Sequence, residues 1–194
     1  VFGAIEHGGS APHLFVQGVP ACYATIQPEI EDRGVYELHH ETKDDWWEVE
    51  ALYDLCFAPG REALSSYRLR DDVPPVPELC LVARDADGIL AGAIRFWPVR
   101  VGAHRAVLLG PIAVHPTRQG EGLGGYLIRE GLERAAGAGW SRAMLVGDAP
   151  YYGRFAFRRL EDVDMPPPTN PERVLGIALT PGAWDGIKGR VTRD

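Results

Sequence analysis

Residues 107–126 read VLLGPIAVHPTRQGEGLGGY, and the interpretation of this stretch decides the fold. The run 107–114, rich in aliphatic and β-branched residues and bounded by turn formers, reads as a buried strand. Pro111 sits in its middle and cannot donate to a ladder, so a bulge or a break in pairing is expected near Gly110 and Pro111. Main-chain groups of Ile112, Ala113 and Val114 are then free to pair with something other than protein. A polar turn follows, then four glycines within six residues (Gly120, Gly122, Gly124, Gly125), then a helix. Glycines let the backbone approach a ligand closely, and the first N–H groups of a helix lack internal partners at the positive end of its dipole. Such a place suits a phosphate.

Two patterns overlap here. Gly120, Gly122 and Gly125 spell G-x-G-x-x-G with Asp148 a little over ~20 residues on, the dinucleotide-binding signature. Gln119, Gly122 and Gly124 spell Q-x-x-G-x-G, and on these residues the chain resembles the GCN5-related N-acetyltransferase (GNAT) superfamily, whose pyrophosphate loop has that form. Context favours the second. Five residues separate the strand from the first glycine, the strands before it form a hairpin, and the stretch after Asp148 is too short and proline-rich for the second half of a dinucleotide fold.

Upstream, LCLVAR and ILAGAIRFWPV flank Asp87-Gly88, a strong hairpin signal, so the sheet begins antiparallel. VYELHHE, from Val35, reads as an earlier strand. Residues 43–57 carry Trp47, Ala51, Leu52 and Leu55 at helical spacing, with Thr42 as the expected N-cap and Pro59-Gly60 as the stop. A second short helix is expected over residues 62–68. Residues 1–33 show no sustained period and contain several glycines and prolines, so they are read as an irregular arm ahead of a single domain over residues 34–194.

Downstream of the glycines, Gly124, Ile128, Gly131, Leu132 and Ala135 line one helix face and Arg129, Glu130, Glu133 and Arg134 the other. AMLVGD, residues 143–148, is a second buried strand, parallel to the first by its strand-helix-strand order. Residues 173–179 read as a last strand, able to pair across subunits into a homodimer.

The resemblance covers residues 36–160 and implies a mixed α/β fold of the GNAT type. Its sheet has an antiparallel N-terminal half and a parallel strand pair splayed around the coenzyme, flanked by helices. It implies acetyl-CoA as co-substrate, no metal, and a primary amine of a small molecule or peptide as acceptor. It further implies coenzyme contacts from Ile112, Ala113, Val114, Arg118, Gln119, Gly120, Glu121, Gly122, Leu123, Gly124, Gly125 and Tyr126, and from Tyr151 and Phe155. The family also carries a tyrosine five residues before the aromatic of a "GF" pair. Tyr152 with Ala156-Phe157 has that spacing, which implies Tyr152 as general acid, although Ala156 replaces the usual glycine.

For the base, Asp148, Glu78 and His115 stay open beside a water relay. Asp148 also reads as a helix cap and His115 as a loop residue before Pro116. Trp97 shares a strand face with Arg95 and is a candidate for the acceptor pocket, with core packing as the competing reading. His39, His40 and Glu41 alternate across a strand and so do not form one metal site. A catalytically silent acyl-CoA sensor is the alternative function.

The formal charge of −7, with no basic run, argues against nucleic acid. Three widely spaced cysteines read as reduced packing residues. No apolar run approaches ~18 residues, and no basic-then-apolar leader is seen, so a cytoplasmic protein is the expectation.

Overall fold

The computed structural model describes residues 36–57, 60–63 and 65–194. The arm expected over residues 1–33, and Cys22 with it, lie outside that set. The elements are β1 (Glu37–His40), α1 (Trp46–Phe57), α2 (Ser65–Arg68), β2 (Leu81–Arg84), β3 (Leu90–Val101), β4 (His104–Val114), α3 (Leu123–Gly137) and β5 (Arg142–Val146). They continue with α4 (Ala149–Tyr152), β6 (Arg158–Arg159), β7 (Val163–Asp164), β8 (Val174–Ala178) and β9 (Gly189–Arg193). The main sheet runs β1-β2-β3-β4-β5-β8-β6; neighbours are antiparallel except β4 and β5, which are parallel.

The hairpin at Asp87-Gly88 forms because local chemistry supports it. The Asp85 carboxylate accepts N–H bonds from Asp87 and Ile89, and Gly88 takes φ +78°. On one face of the sheet α3 buries Leu127, Ile128, Leu132 and Ala135 against Ile94, Phe96, Val107 and Leu145. Gly131 is required there: a Cβ would stand 2.6 Å from the Phe96 ring, so the glycine brings helix and strand together. On the other face α1 buries Val49, Leu52 and Tyr53 against Val82, Leu90, Ala93 and Ala113, each large side chain contributing about 1.5–3 kcal/mol of transfer free energy.

That stripe corrects the expected phase of α1. Trp47 and Leu55 are exposed, because the helix rotates to place Tyr53 and Glu50 over β3. Nor is Thr42 the N-cap. The Asp45 carbonyl accepts from Val49 N–H and the Asp45 carboxylate takes both Thr42 donors, so Asp45 starts the helix. Two further corrections concern the C-terminal part. β8 pairs with β5 along its length and with β6 at Leu175 and Gly176, which takes away the free edge expected for pairing across subunits. The glycine-rich tail holds another strand, β9, against Val99, Arg100 and Val101 of β3.

Arg95 points from β3 toward α1 into a buried ion network. Its guanidinium donates to Glu41 at 2.5 and 2.8 Å and to Glu50 at 2.5 Å, while Arg61 donates to Glu50, Asp54 and the Tyr67 hydroxyl. Burial would raise the Glu50 carboxyl, but the hydrogen bonds from Arg61 and Arg95 outweigh it and hold the group below its ordinary value of 4.5. Glu50 therefore adds stability above about pH 4.5, and loses it as the pH falls through its lower folded-state value. Replacing Arg95 by Leu leaves the Glu41 carboxylate, enclosed beside β3, without its partner and Glu50 with Arg61 alone. The expected loss is about 3 kcal/mol by urea denaturation at neutral pH, shrinking in acid as the carboxylates protonate.

Candidate functional site

β4 and β5 pair only at Val107 with Ala143 and Leu108 with Met144. Beyond that point the strands part. Ile94 faces Ile112 while Phe96 faces Leu109, so Gly110 and Pro111 together oppose Arg95 alone, the bulge expected from Pro111. β5 meanwhile stays with β8 through Val146, and Gly147 N–H bonds the Arg173 carbonyl at 2.9 Å. A V-shaped opening results.

The phase of β4 decides which groups face the opening. His115 N–H donates to the Ala91 carbonyl at 2.8 Å, and antiparallel alternation from there hands the main chain of Ala113 to Ala93. Ala113 is thus spent on β3, its side chain buried under α1. Ile112 and Val114 turn their main-chain groups to the gap. The Val114 carbonyl already accepts from the Gln119 amide at 3.2 Å and from the Cys56 thiol at 3.4 Å, which leaves its N–H.

At the head of β4 the glycine loop turns into α3. Gly120 and Gly122 take φ +88° and +82°, a backbone that side chains resist, and Gly122 is the N-cap without any side-chain cap. The N–H groups of Leu123, Gly124 and Gly125 precede the first helical bond, Tyr126 N–H to the Gly122 carbonyl, and so have no partner within the helix. Tyr151 and Phe155 lie against the helix start: a Cβ on Gly124 would stand 3.4 Å from the Tyr151 hydroxyl and one on Gly125 3.4 Å from the Phe155 ring, both ordinary contact distances. Phe155 is buried below the helix start, and the Leu123 side chain is buried in the core. Tyr126 is half-buried and packs against the same core. Arg118 is held by Asp85 at 2.7 Å, and Glu121 accepts a hydrogen bond from Tyr36.

A cavity of about 130 Å³ fills the opening, lined among others by Tyr67, Arg70, Pro111, Ile112, Val146 and Tyr152. Tyr152 packs edge-on to Tyr151 and Phe157, and its ring occupies the space a Cβ on Gly147 would need. Burial, helped by Tyr151, pushes its phenol up to about 12, so it is neutral and carries its proton at physiological pH. A larger hollow, about 470 Å³, lies between β6, β8 and Trp184 and touches none of the sequence-expected residues except the helix-flanking Ala156.

The remaining expected residues are not brought together. Asp148 is exposed at the end of β5, where its carbonyl caps Tyr152 N–H while its carboxylate makes no cap bond. Glu78 is exposed in the turn before β2, two strands from the gap. His115 bonds Thr117 and caps a short turn. His39 faces Glu37, His40 meets Arg134 and Glu41 holds Arg95, three separate directions. Trp97 lies behind the cavity wall, its ring 5.6 Å from the Arg70 guanidinium. Tyr67 and Arg70 themselves escaped the sequence reading, since nothing in the pattern of residues 62–68 tells that α2 folds over a gap formed some 40 or more residues later.

A sequence profile for the acetyltransferase (GNAT) family matches residues 46–157. The chain belongs to this family. It is 28% identical to the GNAT family N-acetyltransferase YhbS of Escherichia coli, solved in complex with CoA, with a TM-score of 0.72 over 84% of this chain and 92% of that one. It is 32% identical to a GNAT family acetyltransferase of Brucella melitensis, solved in complex with acetyl-CoA, with a TM-score of 0.62 over 82% of this chain and 96% of that one. In direct sequence comparison YhbS of strain K12, described as an uncharacterized N-acetyltransferase, is 33% identical over 111 residues, 56% of this chain; the match spans 65% of the length of that relative.

The left-handed backbone at Gly122 yields a simple test. A Cβ there would meet open space, so Gly122→Ala should cost about 1–2 kcal/mol in thermal or chemical denaturation through backbone conformation alone.

Proposed function

We propose that the chain transfers the acetyl group of acetyl-CoA to a primary amine by direct attack in a ternary complex. One observation carries this reading: the unpaired edge of β4 and the neutral phenol of Tyr152 line a single opening, and the uncapped N-terminus of α3 starts beside Val114 at the end of that edge. The CoA and acetyl-CoA held by the two solved relatives support it.

The residues suit that co-substrate. The N–H groups of Leu123, Gly124 and Gly125 would hold its diphosphate, with the helix dipole behind them. Ile112 and Val114 would pair with its amide-bearing arm as a strand does, and the Val114 N–H is the donor for the acetyl oxygen. Ala113 is left out, since its main chain serves β3. Acetyl-CoA supplies the thioester. Tyr152 delivers its hydroxyl proton toward sulfur as the C–S bond breaks and the C–N bond forms, then regains a proton from the nitrogen through water. The acceptor starts as an ammonium and gives its extra proton to water before attack, so the products are an amide, a thiol and one proton released to solvent.

The described cavity lining holds no carboxylate or imidazole, which favours a water relay as base over Asp148, Glu78 or His115. Trp97 backs the acceptor side rather than lining it.

Thiol release from acetyl-CoA over a panel of amines tests the reading, with calorimetry of acetyl-CoA binding in parallel. Tyr152→Phe should lower kcat by about 100-fold with an acetyl-CoA Kd within about threefold of the parent; an unchanged rate removes Tyr152 from the mechanism. Because the phenol keeps its proton to about 12, the parent should show no alkaline loss of kcat from this group between about pH 7 and about pH 10. Binding of acetyl-CoA with no release for any amine would favour the silent acyl-CoA sensor.

A further inference from the structure

Arg70 stands apart from the other enclosed arginines. Arg61 is paired with Glu50 and Asp54, Arg84 with Asp45 and Glu48, and Arg95 with Glu41 and Glu50. Arg70, in the wall of the β4–β5 opening, has no carboxylate within ion-pair distance among the described residues. Its Nε and Nη1 are sealed from solvent with no hydrogen-bond partner, and so is Nε1 of Trp97, whose ring lies 5.6 Å from the guanidinium carbon. The Tyr67 ring covers it from another side, at 4.2 Å. Its Nη2 approaches the bulge, 3.5 Å from where a Cβ on Gly110 would stand.

All these unsatisfied atoms are donors. A guanidinium stays charged in proteins, and a buried cation without an anion is costly. Burial accordingly draws Arg70 down to about 10, still well above neutrality. The chain carries 27 acidic residues against 20 basic ones, yet none of the described acids is placed here. Every other strongly buried arginine in this region has its counter-charge built in. The missing anion is therefore expected from a ligand, and Arg70 lines the cavity together with Tyr152, Ile112 and Val146.

We infer that Arg70 anchors an oxyanion on the acceptor, so that the substrate is a compact amine that also bears a carboxylate or a phosphate. This rests on the acetyl-transfer reading and narrows its acceptor. The cavity of about 130 Å³ has room for roughly four waters, which suits the short head of an amino acid or aminoalkyl phosphate. A planar guanidinium recognises either oxyanion through charge-assisted hydrogen bonds. Arg70 acts on binding and selectivity; no bond to the acetyl group changes through it.

The test compares matched acceptors on the full chain: 4-aminobutyrate against butylamine, and phosphoethanolamine against ethylamine, read as kcat/KM. The oxyanion-bearing member of at least one pair should be favoured by about tenfold or more, and the pair that shows it names the carboxylate or the phosphate. Arg70→Gln should bring that ratio to within about threefold of unity by raising KM, while the acetyl-CoA Kd from calorimetry stays within about threefold of the parent. Should Arg70→Gln not fold, the parent's ratios, with competition by 4-chlorobutyrate or inorganic phosphate against the acceptor, decide the matter. Equal turnover of both members in both pairs overturns the proposal, as does a selectivity that survives Arg70→Gln. If no acceptor is turned over, calorimetry of 4-aminobutyrate and phosphoethanolamine into the CoA-saturated chain decides, and no binding overturns it. A chain that binds no acetyl-CoA is a separate result, which overturns the acetyl-transfer reading and the acceptor assignment with it.

Discussion

The parting of β4 from β5 is the feature on which the rest of the molecule depends. Pro111 has no N–H to offer, and with Gly110 it forms a bulge where two residues oppose Arg95. A regular strand would have carried on pairing with β5 and closed the sheet. Instead Ile112 and Val114 keep main-chain groups turned to the gap, and the cavity of about 130 Å³ opens beside them. An exposed sheet edge inside a fold is costly unless something pairs with it. An extended ligand arm is the partner we propose for it, beside the uncapped start of α3.

Rigid surroundings keep the opening in shape. On one face Gly131 lets Phe96 press against α3, so the helix that carries the glycine loop cannot slide along the sheet. Across the sheet, Tyr53 donates to the Pro111 carbonyl at 3.3 Å and the network of Arg95, Glu41, Glu50 and Arg61 ties β1, α1 and β3 together. Such a network contributes little net stability compared with an apolar core, but breaking one member is expensive. It thereby fixes Tyr67, through Arg61, at the cavity wall.

Charge is distributed unevenly around that wall. The arginines of the supporting network are each neutralised from within the chain, whereas Arg70 and the Trp97 indole present donors with nothing to receive them among the described residues. Tyr152, in the same cavity wall, is kept neutral by burial. The opening thus combines a fixed positive charge with a retained proton, an environment matched to an acceptor with its own negative charge.

Short-range chemistry accounts for what could be read directly from the residues. Asp87-Gly88 made its hairpin through Asp85 side-chain bonds, Pro111 made its bulge, and Gly120 and Gly122 took the left-handed backbone, because each effect needs only neighbours in the chain. The phase of α3 followed from its apolar period for the same reason. Other properties were settled only when distant segments met. Trp47 and Leu55 offered α1 a second apolar face, and the helix turned the other way because Val49, Leu52 and Tyr53 packed on the sheet and Tyr53 and Glu50 found partners on β3 and β4. β8 lost its free edge to β6, β9 found β3, and Ala113 gave its main chain to Ala93. Arg70 and Tyr152 came to line one cavity, a juxtaposition that leaves no periodic trace in the residues between them. Main-chain conformation is dictated locally by what each residue allows, whereas the pairing of side chains far apart in sequence is chosen by packing and by the need to satisfy buried charge, which exist only in the folded state.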